Sequence, residues 1–160
     1  VSKVANDNNV TIVSSYRKDD KDVAAVIDKN VKITYTRAKT GSASIEKLVQ
    51  PLHFKLGDYN AGYILCMKIL KGVRGFKTDE QLDIIFHPIG VGMFSEEQLD
   101  EWIEAAQKLA LKTKCKVIGT SYADGSYRNC GVTIPIAYMI NREGKERYYS
   151  YQRIIPNLKL

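Results

Sequence analysis

Two histidines, His53 and His87, and three cysteines, Cys66, Cys115 and Cys130, are the side chains of this 160-residue sequence best suited to nucleophilic, proton-transfer or metal chemistry near neutral pH. Their spacing argues against a metal site, because no Cys-x-x-Cys pair is present and the five residues are scattered. Cys130, in Asn129-Cys130-Gly131, has His53 and His87 as possible partners in a nucleophilic pair, but nothing in the spacing brings either to it. An odd number of cysteines suits a reducing compartment, where thiols pack as small apolar side chains. No Gly-x-Ser-x-Gly elbow frames a serine. Glu96, Glu97, Asp100, Glu101 and Glu104 fall along one helix and read as its wet face rather than as acid and base. The expectation from these residues is a protein that is not an enzyme, with no metal and no cofactor.

Charge offers a different kind of site. Lys and Arg number 24 against 18 Asp and Glu, a net charge of +6, which favours an acidic partner. The charge is polarised: the segment 81–110 holds one Lys and six acids, and the remainder is strongly basic. Lys68, Lys71, Arg74 and Lys77, interleaved with apolar residues that include Phe76, form a candidate surface for phosphates of nucleic acid or lipid head groups. Arg142, Lys145, Arg147 and Arg153 with Tyr149 and Tyr151 form a second basic and aromatic patch, which also reads as cross-strand sheet pairing. Ile89, Val91, Met93 and Phe94 on a glycine loop, followed by Glu97 and Glu101, are candidates for self-association, an acidic helix of one copy meeting a basic surface of the next. The expected partners are therefore a second copy of the chain, RNA or ribonucleoprotein, and an anionic membrane surface touched only peripherally.

The elements that must position these residues follow from periodicity. Residues 1–9 are polar and expected to be flexible, and 10–160 to form a single domain. Val10 to Ser14 reads as a strand, and Asp20 as the cap of a short helix with Val23, Ala24, Val26 and Ile27 on one face. Val31, Ile33 and Tyr35 alternate with polar residues up to Arg37, a strand pattern, and Ile45, Leu48, Val49 and Leu52 recur at helical spacing. Gly57 to Gly62 reads as a loop before a strand from Tyr63 to Leu70, and Leu82 to His87 as another strand closed by Pro88. Ser95-Glu96-Glu97-Gln98 is a capping box opening a helix with Leu99, Trp102, Ile103, Ala106, Leu109 and Ala110 as its apolar stripe. Lys116 to Ser121 and Val132 to Ile140 are strands, and Asn141 to Gly144 turns a hairpin that returns through Lys145 to Ile155. The fold class expected is α+β, a mostly antiparallel sheet of about six strands covered by one long and two short helices. No apolar stretch is long enough to span a bilayer.

The strand Val31 to Arg37, the helix around Ile45 to Leu52 and the strand around Tyr63 to Leu70 resemble, in order and spacing, the central part of a rhabdovirus matrix protein. That resemblance implies a non-enzymatic virion protein, in the host cytoplasm or at the membrane periphery, that self-associates and bridges ribonucleoprotein to anionic membrane. Lys68, Lys71, Arg74 and Lys77 would then be its contacts. Leu82 to His87, Gly90 to Ser95, Leu99 to Leu111 and Lys116 to Ser121 resemble instead the strand, pyrophosphate loop, helix and strand of the acetyl-CoA-dependent acyltransferase fold. Ile89-Gly90-Val91-Gly92 lacks the Gln or Arg of that family's loop. A basic RNA-binding module is a third reading.

Overall fold

In a computed structural model the residues described are 1–38, 53–75, 80–90, 93, 95–121 and 134–151. A short helix, α1 (Ser2–Asp7), buries Ala5 and is tied by the Asn6 side-chain amide to the Lys29 carbonyl at 3.0 Å. Strands β1 (Ile12–Lys18), β2 (Lys21–Ile27) and β3 (Ile33–Ala38) form an antiparallel three-stranded sheet. The helix expected from Asp20 is thus a strand. Lys18 pairs with Lys21, so Asp19 and Asp20 are a two-residue hairpin turn, both with positive φ, and the continuous run Val23 to Ile27 is buried on both faces of β2. A short apolar run has no periodicity to separate helix from strand, and the hairpin decides it.

The second sheet has six strands in the order β4 (His53–Leu56), β5 (Tyr59–Tyr63), β6 (Ile84–Ile89), β7 (Lys116–Ser121), β8 (Ile136–Ile140) and β9 (Glu146–Tyr151). Its centre, β5-β6-β7, is parallel, and its flanks are antiparallel hairpins. The parallel pairs need crossovers: a 3₁₀ segment, Cys66–Gly75, follows β5, and α2 (Glu96–Thr113) joins β6 to β7. The Ser95 half of the capping box is present, its hydroxyl accepting from the Gln98 N–H at 3.2 Å, and the buried stripe of α2 is the one its periodicity marks. The class is α+β, as expected.

Three layers result. On one face of the six-stranded sheet, Leu99, Trp102, Ala106 and Leu109 of α2 and Ile69 of the 3₁₀ segment pack on Ile85, Val117, Ile136 and Ile140. On the other face the two sheets meet through Ala24, Val26 and Tyr35 against Phe54, Ala61, Tyr63 and Leu65, with Ile84 and Phe86 alongside. β6 therefore alternates between two cores, Ile85 and Ile89 toward the helix and Ile84 and Phe86 toward the other sheet. The expected loop Gly57 to Gly62 shrinks to Gly57-Asp58, because Leu56 pairs with Tyr59 and Gly57 takes φ +59°. The expected strand Tyr63 to Leu70 ends where it was to begin. The helix expected at Ile45 to Leu52 lies outside the described residues.

Candidate active site

Tyr63 closes β5, and three residues later the chain turns out of the sheet at Cys66. The Ile64 N–H still donates to the Phe86 carbonyl of β6 at 2.9 Å, and the Lys68 N–H to the Leu65 carbonyl at 3.1 Å opens the 3₁₀ segment. Between these bonds Cys66 has φ +49°. Among the described residues five other non-glycine residues have positive φ, and all lie in surface turns or helix ends: Asn9, Asp19, Asp20, Val31 and Lys114. Cys66 alone has it at a strand-to-helix junction against the core, beyond the carboxyl end of a central parallel strand. Such a backbone costs about 1–3 kcal/mol and lifts a side chain out of the sheet at the end where open α/β sheets bind ligands.

The two described thiols differ accordingly. Cys66 is half-buried, with its neighbour Met67 exposed. Cys115 is buried, its thiol donates to the Leu82 carbonyl at 3.1 Å, and burial pushes its pKa up, so it behaves as a small core side chain. Cys130 lies outside the described residues.

Two buried polar groups converge on the Cys66 segment. Arg37, at the end of β3, is 6% exposed and donates from Nη1 to the Tyr63 carbonyl at 3.1 Å, while its Nε–H has no hydrogen-bond partner among the described residues. Burial pulls the Arg37 pKa down and raises that of Tyr35 beside it to about 12, so the pair stays cation and phenol across the neutral range. His87 of β6 is fully buried, stacked on Trp102 with ring centroids 5.5 Å apart. Its Nε2 lies 2.9 Å from the Cys66 carbonyl and its Nδ1 is hydrogen-bonded to the Tyr138 hydroxyl. A carbonyl only accepts, so Nε2 carries the proton, Nδ1 is the acceptor and Tyr138 the donor. Desolvation depresses the His87 pKa from 6.5 to about 4, which keeps it neutral in this role.

Of the basic residues singled out in the sequence, three, Lys68, Lys71 and Arg74, lie on the 3₁₀ segment that begins at Cys66. Lys68 is buried, Lys71 and Arg74 are exposed on the 3₁₀ segment, and Phe76 and Lys77 are outside the described residues. Arg142 is paired with Asp83 at 3.0 Å and Lys145 is exposed, both at the opposite end of the sheet from Cys66, beside an open cleft that Lys116 and Met139 help to line. Arg147, Tyr149 and Tyr151 lie on β9, and Arg153 is outside the described residues. Ile89 and Met93 are core residues, Glu97 and Glu101 are exposed on α2, and Val91 and Phe94 are undescribed. Among the described residues no three His, Cys, Asp or Glu side chains come together to hold a metal ion. Nor is any helix there long and apolar enough to cross a membrane.

The sequence matches no family model and no curated protein. Its fold, however, is similar to that of solved carbon–nitrogen hydrolases. A carbon-nitrogen hydrolase from Helicobacter pylori G27 superposes with a TM-score of 0.67 at 14% identity, over 93% of this chain and 61% of that one. A point mutant of an amidase from Nesterenkonia sp. AN1, showing Michael addition of acrylamide at its active site cysteine, gives 0.70 at 12% identity over 91% and 60%. Saccharomyces cerevisiae Nit3, of the nitrilase superfamily, gives 0.66 at 14% identity over 93% and 58%. The chain thus spans about three fifths of the length of these structures.

The expectation of a rhabdovirus matrix protein, and with it a virion and membrane-bridging role, is overturned by this likeness. The resemblance leaned on a strand from Tyr63 to Leu70, whereas the chain leaves the sheet after Tyr63 and bends at Cys66. The acyltransferase and RNA-binding readings gain no support either. β6, α2 and β7 do form a parallel strand-helix-strand unit, but within a layered sandwich whose structural neighbours are hydrolases. The expectation of a non-enzyme is corrected on the same ground. That expectation considers Cys130 as a nucleophile and not Cys66, which lies inside the apolar run Tyr63 to Met67 with neither glycine nor proline beside it to mark a turn.

Proposed function

We propose that this chain carries the nucleophile-bearing part of a carbon–nitrogen hydrolase acting on amides, with Cys66 as the nucleophile. The observation that carries the reading is the left-handed backbone of Cys66 at the strand-to-helix junction. The covalent adduct at the active site cysteine of the Nesterenkonia amidase, which has the same fold, supports it. In the reaction the Cys66 sulfur bonds to the amide carbonyl carbon, the C–N bond breaks, and the thiol proton leaves on the departing ammonia or amine. Water then cleaves the acyl thioester, releasing a carboxylic acid and restoring the thiol. Arg37, anchored on the carbonyl three residues before Cys66, ties the strand that delivers the nucleophile to the three-stranded sheet.

The test is acrylamide labelling with peptide mapping, alongside ammonia release from short aliphatic amides. Cys66 is expected to react and Cys115 to resist until the protein is unfolded, with Cys66→Ala abolishing ammonia release. Equal reactivity of Cys66 in the folded and unfolded chain would sink the proposal.

A further inference from the structure

Behind Cys66 lies a cross-strand row that the chemistry above does not use. His87 of β6 pairs with Gly119 of β7, and Gly119 with Tyr138 of β8, so the three stand side by side on the helix-facing side of the sheet. Gly119 is bare for a reason: a Cβ there would lie 2.2 Å from Cζ of Tyr138. The Tyr138 ring crosses the gap that the glycine leaves and brings its hydroxyl to Nδ1 of His87, whose Nε2 then reaches the Cys66 carbonyl. Trp102 of α2 stacks on the imidazole from the helix side, and His87 and Tyr138 are both essentially without solvent contact.

We infer that the row His87, Gly119 and Tyr138 is a positioning device for the proposed nucleophile, holding the Cys66 carbonyl so that its left-handed backbone, and hence the placement of its thiol, is fixed before substrate arrives. The inference rests on the reading of Cys66 as nucleophile. Three features carry it. The strained backbone needs a holder, and the Cys66 carbonyl is gripped by a group with no solvent to compete for it. The tautomer that grips is selected by Tyr138, since a hydroxyl donating to Nδ1 leaves the proton on Nε2. The reach of Tyr138 exists only because residue 119 has no side chain. Tyr138 and His87 touch the backbone of the proposed nucleophile and no reacting atom, so they are positioning residues.

The experiment uses three variants and two readouts. Tyr138→Phe keeps the ring over Gly119 and removes the donor, His87→Leu removes the grip, and His87→Gln restores an amide N–H near the place of Nε2. The first readout is the rate of Cys66 modification by acrylamide across pH, with Cys115 protection reporting that the fold is intact. Tyr138→Phe and His87→Leu are expected to slow modification by at least about tenfold, with Cys115 still protected, and His87→Gln to recover most of the loss. The second is the ¹⁵N signature of His87 in the unmodified protein, expected to show the proton on Nε2; a proton on Nδ1 overturns the inference even if a variant fails to fold. Folded variants reacting as fast as the parent overturn the inference and leave Cys66 as nucleophile. A parent protein in which Cys66 reacts no faster than an unfolded thiol overturns both.

Discussion

His87 ties the chemistry of the site to the stability of the chain. The unfolded imidazole protonates near pH 6.5, and the buried one only near 4, so between these values unfolding takes up a proton. The contribution is fully present above pH 6.5 and is lost as pH falls toward 4, a change of about 3 kcal/mol. Urea midpoints measured between about pH 7 and pH 4 are expected to fall steeply for the parent and more shallowly for His87→Gln, whose amide does not titrate. Identical slopes would mean that the folded histidine takes up its proton like an exposed one. At the same scale the site was only partly legible in the sequence. His87 stood out as a rare residue, but its partner is a backbone carbonyl, and carbonyls leave no mark in a pattern of side-chain types. Cys66 was hidden because backbone dihedral angles are set by the bonds on either side, here Ile64 to Phe86 and Lys68 to Leu65, which pair residues distant and local alike. Arg37 read as the polar end of a strand, and only the stacking of two sheets buries it.

Elements with strong local chemistry were legible, and those fixed by tertiary pairing were not. The helix α2 begins at Ser95 because the serine hydroxyl and the acidic first turn both answer unpaired N–H groups, a signal contained in four consecutive residues. The hairpin at Asn141 is similarly local: its side-chain oxygen accepts from the Glu143 and Lys145 N–H groups, and Gly144 takes φ +73°. The strand β2 and the short β5 depend on partners elsewhere in the chain, and the sequence pattern suggests a helix for the first and a loop for most of the second. Ser95→Ala is expected to cost about 1 kcal/mol in global stability, read as a lowered urea midpoint at constant slope. Its effect on Cys66 labelling is expected to be nil, since α2 reaches the site through Trp102, two turns into the helix. A Ser95→Ala protein that loses thiol reactivity would show that the helix start itself shapes the site.

On the scale of the whole molecule, the strand that delivers Cys66 is the seam between the layers, and Tyr63 is its principal fastener. The Tyr63 ring packs among Tyr35, Phe54 and Phe86, and its hydroxyl lies 2.7 Å from the Ala25 carbonyl and 3.0 Å from that of Ser14, both in the three-stranded sheet. Its own carbonyl receives Arg37 from the same sheet. The hydroxyl is buried deeply enough for its pKa to be raised, chiefly by desolvation, so it remains a donor at any pH at which the protein is studied. Tyr63→Phe keeps the ring and deletes the one donor shared by two strands, which is expected to cost about 1–2 kcal/mol, the net bond plus part of the penalty for carbonyls left dry. The loss should be local to the seam: in native-state hydrogen exchange the amides of β1 to β3 lose protection, while those of β6 to β8, held by the helix-side core, keep theirs. Cys66 labelling is expected to accelerate for Cys115-protected molecules only slightly, because the grip of His87 comes from the other face of the sheet. Uniform loss of protection across both sheets would instead show that the two cores unfold as one unit and that Tyr63 is no more a fastener than any other buried side chain.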